Sequence, residues 1–261
     1  MLKAENISVY YGRKAAVSDV SVAVEAGTLS CIVGPNGSGK TSLLKALTRD
    51  VAYAGRVRLN GTDVAQLKAH ELAVLRGVLP QASTLAFPFT VLEVVRIGAG
   101  QSLYGADTDL PYQALKRVGL EGYGERLFQE LSGGEQQRVQ LARVLVQIWE
   151  PVVEGVPRWL FLDEPVSSLD IAHQLGVMQV ARDFADAGGG VIAVMHDLNL
   201  TALYADQVMV MAEGEALALG PTRDVLVDGV LSQAYGCQLK VNKAPPPGAP
   251  FLLPHTASLM G

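Results

Sequence analysis

Apolar and polar positions alternate along two early stretches, Ile7-Ser8-Val9-Tyr10-Tyr11 and Val20-Ser21-Val22-Ala23-Val24. This two-residue period predicts strands with one buried face. Gly55-Arg56-Val57-Arg58-Leu59 repeats the alternation and ends at Asn60-Gly61, a dipeptide suited to a tight hairpin turn. Three other stretches do not alternate. Leu29–Val33, Trp159-Leu160-Phe161-Leu162 and Val191-Ile192-Ala193-Val194-Met195 are short continuous apolar runs, the pattern of buried strands. Helical spacing appears in Thr41-Ser42-Leu43-Leu44-Lys45-Ala46-Leu47 and again from about residue 90 to 146, as in Val91-Leu92-Glu93-Val94-Val95-Arg96-Ile97. The expectation is an α/β fold with a small antiparallel sheet beside its core and a helical insertion.

Composition narrows the class. The chain has 261 residues, 49% hydrophobic content and a mean hydropathy of +0.24, enough for a substantial core. No apolar run approaches the roughly 18 residues of a membrane span. Met1-Leu2-Lys3-Ala4-Glu5-Asn6 lacks the apolar stretch of a signal peptide, so a cytoplasmic location is expected. A net charge of −5 argues against nucleic-acid binding and against electrostatic attachment to anionic lipid. Any membrane association is expected to run through a protein partner. Cys31 and Cys237 lack metal-ligand spacing and read as reduced thiols.

The chemistry starts at Gly34-Pro35-Asn36-Gly37-Ser38-Gly39-Lys40-Thr41, a GxxxxGK[ST] loop between a predicted strand and a predicted helix. Glycines let successive backbone N–H groups turn toward phosphate oxygens, and the helix N-terminus adds partial positive charge. Lys40 is expected to reach the β- and γ-phosphates, and the Thr41 hydroxyl to ligate Mg²⁺. An accidental glycine-rich turn would lack the flanking strand and helix. The apolar run from Trp159 ends in Asp163-Glu164. Side chains alternate faces along a strand, so if the strand continues the two carboxylates cannot do the same task. Asp163 suits a Mg²⁺ contact, and Glu164 suits the base or polariser of an attacking water.

Mid-chain, Leu131-Ser132-Gly133-Gly134-Glu135-Gln136-Gln137-Arg138 matches the signature motif of ABC transporter ATPases. The chain resembles that family over residues 1–240, with its other motifs in order. The resemblance implies a P-loop NTPase (RecA-like) core, an antiparallel β subdomain and an α-helical signature subdomain at about 85–155. It further implies that Tyr11 stacks on adenine and that residues 34–42, Ser42 included, hold ATP. Gln81 looks like the Q-loop glutamine that senses Mg²⁺ and water, and His196 like the switch histidine that binds the γ-phosphate. Ser167-Ser168-Leu169-Asp170 looks like the D-loop. Ser132, Gly133, Gly134, Glu135 and Asp170 are then expected to act in trans, on ATP held by a second copy. The implied assembly is a homodimer enclosing two ATP, bound to two copies of a permease at the cytoplasmic face of a bacterial inner membrane. A periplasmic substrate-binding protein delivers cargo.

Within the family, Leu79-Pro80-Gln81-Ala82-Ser83, Ala86-Phe87-Pro88-Phe89-Thr90-Val91, Leu169-Asp170-Ile171-Ala172-His173-Gln174 and His196-Asp197-Leu198-Asn199-Leu200 look like the haem-importer ATPases, as does the insertion at 150–158. Ferric-siderophore and cobalamin importers share part of this pattern. The sequence departs from the usual family pattern at Pro165-Val166, where Pro-Thr is usual, and at Ser168, where alanine is common. A cassette acting on chromosomes or ribosomes would carry long heptads or a second set of motifs. A P-loop kinase would leave 131–138 without a role, and exporter cassettes are often fused to membrane spans. The last segment, with Pro245-Pro246-Pro247-Gly248, reads as a tail or a wide hairpin joining 238–241 to 251–253.

Overall fold

A computed structural model describes residues 1–81, 87–100, 109–246, 248–251 and 253–256. In chain order its elements begin with β1 (Leu2–Tyr11), β2 (Lys14–Val24), β3 (Leu29–Val33), α1 (Lys40–Leu47), β4 (Ala54–Leu59), β5 (Thr62–Asp63), α2 (Ala69–Leu75) and β6 (Arg76–Leu79). The helical stretch follows as α3 (Val91–Ala99), α4 (Leu110–Arg117) and α5 (Gly133–Gln147). Next come β7 (Val152–Val153), β8 (Val156–Pro157), β9 (Trp159–Asp163), α6 (Ile171–Asp186), β10 (Gly190–Val194) and α7 (Leu198–Tyr204). The last are β11 (Gln207–Ala212), β12 (Glu215–Pro221), α8 (Thr222–Val225) and α9 (Asp228–Tyr235).

The three continuous apolar runs become the middle of one sheet, ordered β12-β11-β3-β10-β9-β6. All its neighbours are parallel except β12, which is antiparallel to β11. Every residue of β3, β9 and β10 is buried, because the sheet is covered on both faces. The strand pleat divides them. Cys31, Val33, Leu160, Leu162 and Ala193 pack into one core with α5 and α6; Ile32, Phe161, Ile192 and Val194 pack into a second core with α1 and the antiparallel sheet. The alternating segments form that second sheet, ordered β2-β1-β4-β5, with Asn60 and Gly61 both at positive φ (51° and 84°) in its tight turn. The Asn60 side chain also accepts from the Trp159 indole at 3.0 Å and donates to Pro157 O at 2.7 Å, tying the two sheets together.

The last helix of that stretch ends at Gln147, beside the expected limit of about 146, and residues 152–157 form a two-stranded hairpin, β7-β8. The hairpin proposed between 238–241 and 251–253 does not form among the described residues: 238–241, Phe251 and Leu253 are not strand. Leu239 and Val241 instead fold back onto α9, where Ser232 and Asp228 bind their backbones. Ala82, Ser83 and Ala86 of the haem-importer stretch lie outside the described residues. No helix among the described residues is long and apolar enough to cross a membrane.

Candidate active site

Four adjacent parallel strands, β6, β9, β10 and β3, deliver the predicted residues to one sheet edge. Gln81 follows β6, Asp163 and Glu164 end β9, His196 follows β10, and the glycine loop follows β3. Ligands of open α/β sheets bind at this carboxyl edge.

The loop is shaped by two close approaches. At Gly34, φ is 147° and a Cβ would lie 2.1 Å from the Met211 carbonyl oxygen. At Gly39, φ is 99° and a Cβ would lie 2.3 Å from Ala16 O. Neither position admits a side chain. Ser38 N–H donates to Pro35 O (3.2 Å), and Gly214 N–H donates to Ser38 O (3.1 Å) from the β11–β12 turn. Lys40 opens α1 and is buried; its ammonium donates to Gly34 O and Pro35 O at 2.9 and 3.0 Å. Burial pulls its pKa below the usual lysine value, opposed by the carboxylates of Glu164 and Asp163.

Asp163 is buried, and its Oδ1 accepts from Thr41 Oγ1 at 2.9 Å. Burial pushes its carboxyl above the ordinary aspartate value, opposed by the Thr41 bond. Glu164 points elsewhere, but not because the strand continues. β9 stops at Asp163, and Glu164 sits in left-handed backbone at φ 53°. Its carboxylate accepts from Gln81 Nε2 at 2.8 Å and makes a short contact to His196 Nε2. Its backbone is held on both sides: its N–H donates to Val194 O (3.1 Å), and its carbonyl accepts from Gln137 Nε2 (2.9 Å) and Ser167 Oγ (3.2 Å).

A cavity of about 510 Å³ opens over the loop, lined by Asn36, Gly37, Gly39, Lys40, Thr41 and Ser42, by Glu164 and His196, and by the half-exposed Tyr11. Gly34, Pro35 and Ser38 do not line it and instead support the loop. Gln81 and Asp163 also lie outside the lining and touch it through Glu164 and Thr41. Sequence reasoning missed Lys14, Ala15, Ala16, Glu213 and Gly214, which complete the lining. They belong to the β1–β2 and β11–β12 hairpins. Glycine-containing turns between alternating segments were the available signal.

The signature residues build a different site. Ser132 caps α5: its Oγ accepts from Glu135 N–H (3.3 Å) and donates to Glu135 Oε2 (2.7 Å), while Ser132 N–H donates to the same oxygen (2.8 Å). These bonds hold the Glu135 carboxyl below its usual pKa. Gly134 is needed for packing, since a Cβ there would meet Leu169 Cδ2 at 2.9 Å and Ser168 O at 3.0 Å. Asp170 caps α6 by accepting from His173 N–H at 3.0 Å, and with the His173 side chain this holds its pKa down. Ser132, Gly133, Gly134, Glu135 and Asp170 line a cavity of about 420 Å³ that shares no residue with the loop cavity.

A glycine loop, a hydroxyl–carboxylate pair and a hydrogen-bonded glutamate on a parallel-sheet edge define a P-loop ATPase, and the signature at the start of α5 defines its branch. The chain belongs to the ABC transporter family, whose profile matches residues 17–167. Over 261 residues it is 58% identical to the hemin import ATP-binding protein HmuV of Jannaschia sp. (strain CCS1), covering 100% of this chain and 97% of that one. It is 60% identical over 256 residues to the HmuV of Ruegeria sp. (strain TM1040), covering 98% of each. Among solved structures, the dimeric bacterial ABC transporter cassette MJ0796 superposes with a TM-score of 0.74 at 26% identity, over 85% of this chain and 99% of that one. The chain is therefore a nucleotide-binding ABC ATPase, of a family whose cassettes act as dimers with a membrane permease.

Proposed function

We propose that this chain is the ATPase of a bacterial haem importer, working as a homodimer at the cytoplasmic face of the inner membrane. The observation that supports the dimer is the separation of the two cavities: loop residues 36, 37 and 39–42 line one space and 132–135 another in one chain, and a second copy placed head to tail would bring them together. The full-length identity to hemin import ATP-binding proteins supports the cargo.

In this reading Tyr11 stacks on adenine, and the loop with Lys40 holds the phosphates. Thr41 and Asp163 suit Mg²⁺, since a hydroxyl and one carboxylate 2.9 Å apart match an ion that takes its remaining ligands from phosphates and water. Held by these two residues, such an ion would supply positive charge against the phosphates. Glu164 orients a water and accepts its proton as the water oxygen attacks the γ-phosphorus and ADP leaves. His196 holds Glu164 and the γ-phosphate together, and Gln81 reports the site to the permease. Residues 132–135 and Asp170 of the second copy close over the same phosphate. A groove of about 750 Å³ between β6 and the helical stretch, lined by Arg76, Ile97, Arg143 and Gln147 among others, lies on the segment leading to Gln81. We assign the permease to it. A periplasmic binding protein then loads the permease from outside.

The test is ATP turnover by the protein reconstituted with its permease and binding protein in vesicles. Hemin-loaded binding protein is expected to raise turnover several-fold. Stimulation by a ferric siderophore or cobalamin, with none by hemin, overturns the cargo.

A further inference from the structure

The glycine loop is also supported from the face of the sheet opposite α1. There α9 packs on β11, the strand whose Met211 carbonyl excludes a side chain at Gly34. The chain after α9 folds back and braces it. Ser232 Oγ accepts from Leu239 N–H at 3.0 Å, and Asp228 accepts from Val241 N–H at 2.7 Å and from Lys240 Nζ at 2.9 Å. This fixes Tyr235, the last residue of α9, beside the loop's first residue.

The Tyr235 hydroxyl is buried and makes no hydrogen bond. The polar group it faces is the Gly34 backbone N–H. Burial pushes the phenol above its usual pKa, so it stays protonated. A buried hydroxyl without a partner weakens a fold, and phenylalanine would fill the same space without that penalty. The hydroxyl therefore needs a reason outside packing. Gly34 supplies one, because its carbonyl is one of the two that hold the Lys40 ammonium.

We infer that Tyr235 is a positioning residue for ATP binding, its hydroxyl accepting the Gly34 N–H when Lys40 leaves the loop carbonyls for a phosphate. The loop gives up two internal bonds in that exchange, and the new bond at its root keeps Gly34 oriented. This rests on the proposed assignment of residues 34–42 to ATP.

The experiment compares Tyr235→Phe and Lys40→Ala with the unmodified full-length protein, measuring KM for ATP, kcat, and Tm with and without ATP. For Tyr235→Phe, KM is expected to rise about three- to tenfold, the scale of one hydrogen bond. kcat should stay within about twofold on the same reasoning, because the hydroxyl does not touch the reacting atoms. Tm without nucleotide should hold or rise, while the ATP-induced increase in Tm shrinks. An unchanged KM, or a KM rise accompanied by a fall in nucleotide-free Tm, overturns the inference. Lys40→Ala separates the two readings: if it binds ATP normally, the loop assignment itself fails. If it loses ATP while Tyr235→Phe behaves as the unmodified protein, only the role of Tyr235 fails.

Discussion

Gln137 lies on the signature helix α5, yet its Nε2 donates to the Glu164 carbonyl at 2.9 Å, joining the helical stretch to the turn that aims the proposed base. Replacing it with methionine keeps a side chain of similar length and removes that donor. The carbonyl keeps Ser167 Oγ at 3.2 Å and Ser167 N–H at 3.4 Å, so the loss is one bond and not a stranded acceptor. One such bond contributes about 0.5–1.5 kcal/mol. Glu164 sits in left-handed backbone, which for a non-glycine residue costs about 1–2 kcal/mol and must be held by its surroundings. If the lost bond is felt as misorientation of the carboxylate, kcat falls about two- to tenfold. KM for ATP should not move, because Gln137 does not line the nucleotide cavity. Stability should change little, since the buried Oε1 of Gln137 has no partner and its removal offsets the lost donor. Steady-state phosphate release over a range of ATP concentrations measures both constants. An unchanged kcat, or a raised KM with kcat intact, refutes the reasoning. Combining Gln137→Met with Ser167→Ala should cost more than the product of the single effects, because the Glu164 carbonyl is then nearly unpaired.

Glu164→Gln should lower ATP turnover by about a hundredfold or more, the scale of a general base, while size-exclusion chromatography with ATP shows a trapped dimer; undiminished turnover removes Glu164 from its role. Asp163→Asn separates stability from activity. The Asp163 pKa is raised by burial, so its contribution to folding is favourable below the ordinary aspartate range and is lost as pH rises through the folded value. The asparagine variant should therefore give an equal or higher Tm at pH 7, a gap that closes toward about pH 4, and a collapse of turnover. A lower Tm at neutral pH contradicts the sign. Gly34→Ala demands both a φ of 147° and a Cβ 2.1 Å from Met211 O; urea unfolding should show a loss of about 3 kcal/mol or more, and a variant of normal stability would mean the loop has another conformation.

The strands were legible where their period was long or their apolar run unbroken. Leu29–Val33 and the runs before Asp163 and His196 carry that pattern because both sheet faces are covered. β6 left no such mark. Its four residues, Arg76-Gly77-Val78-Leu79, are too short for a period, and a Cβ at Gly77 would meet Val144 Cγ1 at 2.6 Å, a constraint set by α5 almost seventy positions away. The two-residue strands of the 152–157 hairpin were equally silent. The divergence of Asp163 and Glu164 was expected from strand alternation and arises instead from a left-handed turn. Ser167 is a local partner, but the other groups holding that turn, Val194 and Gln137, lie far off in sequence, so the local pattern alone does not encode it.

The residues proposed to touch phosphate were legible as motifs, but their energetics were not. Each is already engaged within the chain. The Lys40 ammonium is held by Gly34 O and Pro35 O, the Ser132 hydroxyl donates to Glu135, the Thr41 hydroxyl donates to Asp163, and His196 contacts Glu164. On the proposed assignment, nucleotide binding exchanges these bonds for bonds to phosphate. An exchanged bond contributes less than a new one, and because each of these pairs includes a charged group the scale is about 1.5–3 kcal/mol. On the same assignment the phosphate charge would also meet the N-termini of two helices, α1 from one copy and α5 from the other, adding to what one copy's loop supplies. Dimer closure is then expected to depend on the γ-phosphate, the group through which the two helix starts would meet, and its removal by hydrolysis is expected to weaken closure.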